Sequence, residues 1–118
     1  MSDGGADVKN MIDRILRYYG STAELKTADG TATVCAFLQP VSGKRSIEQR
    51  LCDVGQLPQG SYLYIGPAEH PLFQDDSVLC GGFTYRVIRA EQLMVQDTAV
   101  YLWAVLKRIG GAENAGSH

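Results

Sequence analysis

Glu69 and His70 stand side by side, and Asp75 and Asp76 follow a few residues later. A carboxylate and an imidazole can exchange protons at neutral pH, and paired carboxylates can hold a hard cation. These are the residues whose types read most readily as chemistry, but their surroundings argue against it. Nucleophilic catalysis requires Ser, Cys or Thr beside a positioned histidine, whereas His70 lies between Glu69 and Pro71 with no nucleophile motif. His118 falls in a glycine-rich tail. "FQDDSV" lacks the alternating ligands and turn glycine of a calcium loop, and "CGGF" lacks the Lys-Ser/Thr that follows a phosphate loop. The stretch "GPAEHPLF" therefore reads as a corner. It leaves a strand at Gly66-Pro67 and turns towards the next, whose entry the Asp pair caps.

Cysteine and aromatic residues are the other candidates. Cys35, Cys52 and Cys80 are widely spaced and form no C-x-x-C pair, so no zinc site is expected and no cofactor is implied. Cys35 and Cys80 lie in strand-like apolar runs and should act as small hydrophobes, with Cys52 in a polar loop. Tyr62, Tyr64, Tyr85, Tyr101 and Trp103 have the types of a single-strand stacking platform. Such a platform needs a basic groove, and the 11 basic and 13 acidic residues are interspersed, for a net charge of −2. Nucleic-acid recognition by sequence is not expected, and the aromatics read as core or as a protein interface.

The elements that would position these residues follow from the hydrophobic pattern. With 118 residues, 45% of them hydrophobic, the chain suits one domain. Residues 1–6 are small and polar and read as a flexible start. Val8, Met11, Ile12, Ile15, Leu16 and Tyr19 follow helical spacing, giving a helix over 7–19. Gly20 can end it in a left-handed conformation. Its stripe should pack on the domain, with an oligomer contact as the alternative.

Beyond Gly20 the period becomes two. "STAELKT", "TATVCAFLQPV", "SYLYIG", "DDSVLC", "FTYRVIRAEQLMV" and "TAVYLWAVLKRI" read as strands. "ADG", Gly81-Gly82 and "QDT" supply turns, and Pro40 should end its strand's pairing. Along the last strand, Val100, Leu102, Ala104 and Leu106 alternate against Tyr101, Trp103 and Val105. Residues 42–60 break the pattern. That long polar segment reads as a functional loop, or as one carrying a short helix over Ile47 to Leu51. The fold expected is mainly β, a small antiparallel β-barrel or sandwich with one N-terminal α-helix and one long loop. It spans 7–109, and 110–118 form a flexible tail.

The N-terminus lacks a signal pattern and no apolar run reaches bilayer length, so cytoplasmic synthesis without a membrane partner is expected.

The ordered series "AFLQPV", long polar loop, "YLYIGPAEHPL", "DDSVLCGGFTYRVIRAE" and "VYLWAVLKR" carries a resemblance. It resembles small proteins of the morphogenesis modules of tailed phages and prophages, the head–tail joining group of head-closure and tail-completion proteins. The resemblance covers about Thr31 to Arg108. It implies a non-enzymatic virion component that assembles as a ring between portal and tail, in the host cytoplasm and then in the virion. Its partners would be portal or adaptor and tail proteins. By position, the 42–60 loop would bind them, with Lys44, Arg45, Glu48, Arg50 and Asp53 as contacts. The competing reading is a small ligand-binding or catalytic β-barrel using His70 with Asp75 or Asp76.

Overall fold

The computed structural model of the chain describes residues 4–41 and 60–110, with side chains from Asp7 onward. Helix α1 spans Gly4–Tyr19. It is followed by β1 (Ser21–Thr27), β2 (Gly30–Pro40), β3 (Ser61–Gly66), β4 (Ser77–Cys80), β5 (Phe83–Val95) and β6 (Thr98–Gly110). The strands close into an antiparallel barrel in the order β1-β2-β3-β6-β5-β4. Of the two expected architectures, the barrel is the one observed.

The helix begins at Gly4, earlier than its apolar stripe suggests, so Gly4 to Ala6 are helical rather than part of a flexible start. First-turn N–H groups have no intrahelical partner in any case, so the two glycines there cost little hydrogen bonding. The strand beginning "DDSVLC" starts only at Ser77, because Asp75 takes a φ of 75° and belongs to the turn. Gly81 and Gly82 (φ 61° and 83°) form a two-residue turn, and Gln96 and Asp97 (φ 49° and 71°) form another. Positive φ at both central residues matches the twist of the flanking strands.

Two apolar layers result. Ala23, Leu25, Val34, Ala36, Tyr64, Val78, Val87, Leu102, Ala104 and Leu106 fill the barrel. Leu63, Ile65, Val100, Tyr101, Trp103 and Val105 face outward and are covered by Leu16, with Val8 and Ile12 beside it. Strands β3 and β6 are thus buried on both faces, which explains their near-continuous apolar runs. Val100 departs from the expected alternation and joins the helix-facing layer. The β5–β6 register passes from Leu93↔Tyr101 to Met94↔Ala99, so Val100 is the extra residue of a bulge and its side chain changes face.

Tyr64 is fully buried inside the barrel, and its hydroxyl has no hydrogen-bond partner among the described residues. Burial pushes that phenol well above its ordinary value, because the phenolate would be stranded without water. Tyr64→Phe removes a desolvated hydroxyl while keeping the ring, and is expected to stabilise the barrel by about 1 kcal/mol. A urea midpoint at or below that of the native chain would contradict this.

Candidate functional site

Strand β3 and strand β4 are not neighbours, so the connection between them must cross an end of the barrel. Leu72, 2% exposed, turns into the barrel core and anchors the crossing, and Ala68 of the same connection is also buried. Gln92 Nε2 of β5 donates to the Ala68 carbonyl at 3.1 Å. The turn holding Glu69 and His70 is closed by the His70 N–H donating to the Pro67 carbonyl at 3.3 Å.

The carboxylate of Glu69 accepts from the Lys9 ammonium of α1, which also donates to Asp13 Oδ2 at 2.7 Å. Lys9 and Asp13 lie one helical turn apart, so the pair is local. Glu69 lies 60 positions away, and its ion pair ties helix to corner. The Lys9 hydrogen bond holds the Glu69 carboxyl below its ordinary value near 4.5. Asp13 and then Glu69 raise the Lys9 ammonium above its ordinary 10.5. Glu69 is therefore ionised and occupied near neutrality, a poor state for a general acid. Asp13 Oδ1 is buried with no partner among the described residues.

His70 faces a cleft of about 400 Å³ between α1, β2 and this connection, where Asp13, Arg17, Thr33, Cys35 and Glu69 also converge. A second cleft of about 280 Å³ lies on the other side of Glu69 and His70, beside Thr27, Asp29 and Thr31 of the β1–β2 turn. Neither cleft is lined by Asp75 or Asp76. Those residues serve the turn instead. Asp76 Oδ2 accepts from the Phe73 N–H at 2.8 Å, and the Asp75 N–H donates to the Val87 carbonyl at 2.8 Å. The structure brings His70 together with Asp13, Arg17 and Cys35, a grouping that sequence spacing does not reveal.

The aromatic candidates divide between the two apolar layers. Tyr62 packs edge-on against Tyr85 at 4.9 Å between ring centres, on the barrel side. Tyr64 is inside the barrel, and Tyr101 and Trp103 lie under the helix. Arg89 covers the Trp103 ring at 5.3 Å. Separated and buried in this way, these rings do not offer one stacking surface. Cys35 and Cys80 are free thiols, and burial pushes the Cys80 thiol up. No group of three or more His, Cys, Asp or Glu side chains among the described residues is placed to hold a metal ion. No helix among them is long and apolar enough to cross a membrane. Cys52, Lys44, Arg45, Glu48, Arg50, Asp53 and the possible helix over Ile47 to Leu51 lie outside the described residues.

The tie between helix and corner has a defined pH dependence. Glu69 has a depressed folded value, so its contribution is complete above about 4.5 and is lost as pH falls through the lower folded value. Lys9 has a raised folded value, so its contribution holds below 10.5 and is lost as pH rises past the folded value. Because Glu69 is half exposed, the tie should contribute less than about 1 kcal/mol. Lys9→Met is expected to flatten both limbs of the stability–pH curve, and curves that superimpose with those of the native chain would rule the tie out.

Compared with family models, with curated proteins and with solved structures, the chain finds no match. Among the described residues, fold and site define it by class: a closed six-stranded antiparallel barrel carrying one flanking helix.

Proposed function

We propose that the chain is a non-enzymatic head–tail connector of a tailed phage or prophage, a head-closure or tail-completion component that assembles as a ring between portal and tail. One observation carries the reading. Just past the end of β2 the Val41 N–H donates to the carbonyl of Ser61, the first residue of β3, at 2.9 Å. Pro40 pairs with Tyr62 beside that bond, so the β2–β3 ladder runs to the end of β2. The barrel closes through its own strands, and the reading assigns contact with other virion proteins to the charged residues Lys44, Arg45, Glu48, Arg50 and Asp53, which lie outside the described residues.

Deleting Arg45 to Asp53 is the test. The truncated protein is expected to keep its far- and near-ultraviolet circular dichroism and its cooperative unfolding, while complementation yields no tailed particles. Tailed, infectious particles from that deletion would sink the proposal.

A second reading, a small-ligand or catalytic barrel, draws on the cleft that His70 lines. It would use His70 with Asp13 and Arg17, because Asp75 and Asp76 do not line that cleft. His70→Ala separates the readings: the connector needs no imidazole there, and particle yield should match that of the native chain.

A further inference from the structure

The barrel's register gathers cations that lie far apart in sequence. Read across the strands, Thr31 of β2 pairs with Lys26 of β1, and Lys26 with Ser77 of β4. Ser77 pairs in turn with Arg86 of β5, and Arg86 with Lys107 of β6. Lys26, Ser77, Arg86 and Lys107 each adjoin a core residue, Leu25, Val78, Val87 and Leu106, so their own side chains stand on the outer face. Lys26, Arg86 and Lys107 are exposed, and none forms an ion pair among the described residues. The other strand arginines are engaged, Arg89 by Trp103 and Glu91, and Arg108 by Phe83. Glu24 takes the next outward position on β1, across from Thr33 and Leu79, and the Asp76 carboxylate turns to the Phe73 N–H. The row itself therefore holds three cations and two hydroxyls, with no carboxylate. Arg86 and Lys107 stand directly opposite one another, a like-charge pairing that costs stability until an anion answers it.

We infer that this row binds the phosphate backbone of a double-stranded nucleic acid, without reading its bases. Lysine, arginine, serine and threonine are the side chains that contact phosphate and sugar. Neighbouring strands lie about 4.8 Å apart, so the row from Lys26 to Lys107 is about 14 Å long. One strand of a duplex carries a phosphate about every 3.4 Å of axis, so that length spans about four of them. An acidic protein surface offers no such regular line of charge. A single strand also fits less well, because its bare bases need stacking rings. Tyr64, Tyr101 and Trp103 are buried in two separate layers and cannot supply them. A duplex keeps its bases stacked and presents its phosphates outward.

Three cations set both the strength and its salt dependence. Each phosphate neutralised releases counterions, so the slope of log affinity against log salt should be about −2.7. The chain carries a net charge of −2, which places its affinity at the weak end of non-specific binding, a Kd on the order of 10⁻⁴ M at physiological salt. Lowering salt from about 150 to about 50 mM should tighten it roughly twentyfold. The inference goes beyond the connector proposal and does not rest on it, since the isolated chain should bind with no other virion protein present.

Fluorescence anisotropy of a labelled random-sequence DNA duplex, titrated with the full chain at several salt concentrations, tests it. Lys26→Gln, Arg86→Gln and Lys107→Gln should each weaken binding about tenfold at low salt and reduce the slope by about 0.9. Arg14→Gln removes the same charge from the helix, outside the row, and should leave the slope unchanged. Circular dichroism of each variant confirms that the barrel is intact. A duplex of different sequence should bind equally well, and polyglutamate should compete poorly. No binding at about 50 mM salt would overturn the inference. So would a slope indifferent to the three row substitutions, or one lowered as much by Arg14→Gln. Polyglutamate competing as well as unlabelled duplex would overturn the assignment to phosphate and point to an acidic protein instead.

Discussion

Gly66→Ala is expected to destabilise the barrel by about 3 kcal/mol, although it adds a single methyl group. Gly66 closes β3, and its φ is not among the positive ones, so alanine could adopt the backbone. Space is what forbids it. A β-carbon at Gly66 would overlap the Tyr64 hydroxyl and stand 2.5 Å from ring Cζ and 2.8 Å from Cε1. Side chains two apart on a strand share a face, and the Tyr64 ring lies back along β3 over the glycine. The ring cannot yield, because it is fully buried among Leu25, Val78 and Leu102. The prediction carries its own control. In a Tyr64→Leu background the overlap disappears, and Gly66→Ala should cost less than about 1 kcal/mol, leaving a coupling of about 2 kcal/mol in the double-mutant cycle. Equal losses in both backgrounds would show that backbone conformation, not the tyrosine, requires glycine there.

The second large effect concerns the helix. Leu16→Ala should cost about 3 kcal/mol. Leu16 is the one helix side chain among the described residues that is fully buried, at 3% exposure, with Val8 and Ile12 only partly covered. It sits over Leu63, Ile65, Trp103 and Val105, so truncation opens a void between helix and sheet. The loss should be local. The strands bond to one another around the barrel without help from α1, so hydrogen exchange should speed in α1 while β3 and β6 remain protected. Uniform loss of protection across the strands would mean that helix and barrel form one cooperative unit.

Much of the fold was legible because strands and turns are coded locally. "STAELKT", "SYLYIG" and "FTYRVIRAEQLMV" coincide with observed strands, and Gly81-Gly82 and Gln96-Asp97 make the expected turns. Pro40 ends β2 as its missing donor requires. Misreadings arose where a distant neighbour decides the outcome. Gly20 was expected to turn left-handed, yet its φ is not positive. It is glycine because a β-carbon would stand 2.5 Å from the Leu16 carbonyl oxygen and 3.0 Å from the Ala36 backbone. Val100 changes face because β5 opposes β6 with a shifted register, which no count along β6 alone reveals. The helix stripe was read as one surface, but the barrel accepts only half of it.

The candidate site was less legible for the same reason. Glu69 and His70 were correctly placed on a bend, and the Asp76 side chain closes a turn as its type suggests. The pairing of Glu69 with Lys9 leaves no trace in either segment. Lys9 with Asp13 at helical spacing was readable as an ion pair, and only the folded chain shows that it reaches the corner.

The burial of Trp103 and Val105 beneath Leu16 sets an order of events during synthesis. The helix leaves the ribosome before the barrel strands, but the outer face on which it rests belongs largely to β6, the last of those strands to be made. β1 likewise waits for β4 before its second edge is paired. A nascent chain halted before Thr98 thus carries a helix with its apolar face bare and a sheet that cannot close. Such a chain is prone to clump with its neighbours, a hazard that ends only when the last strand arrives.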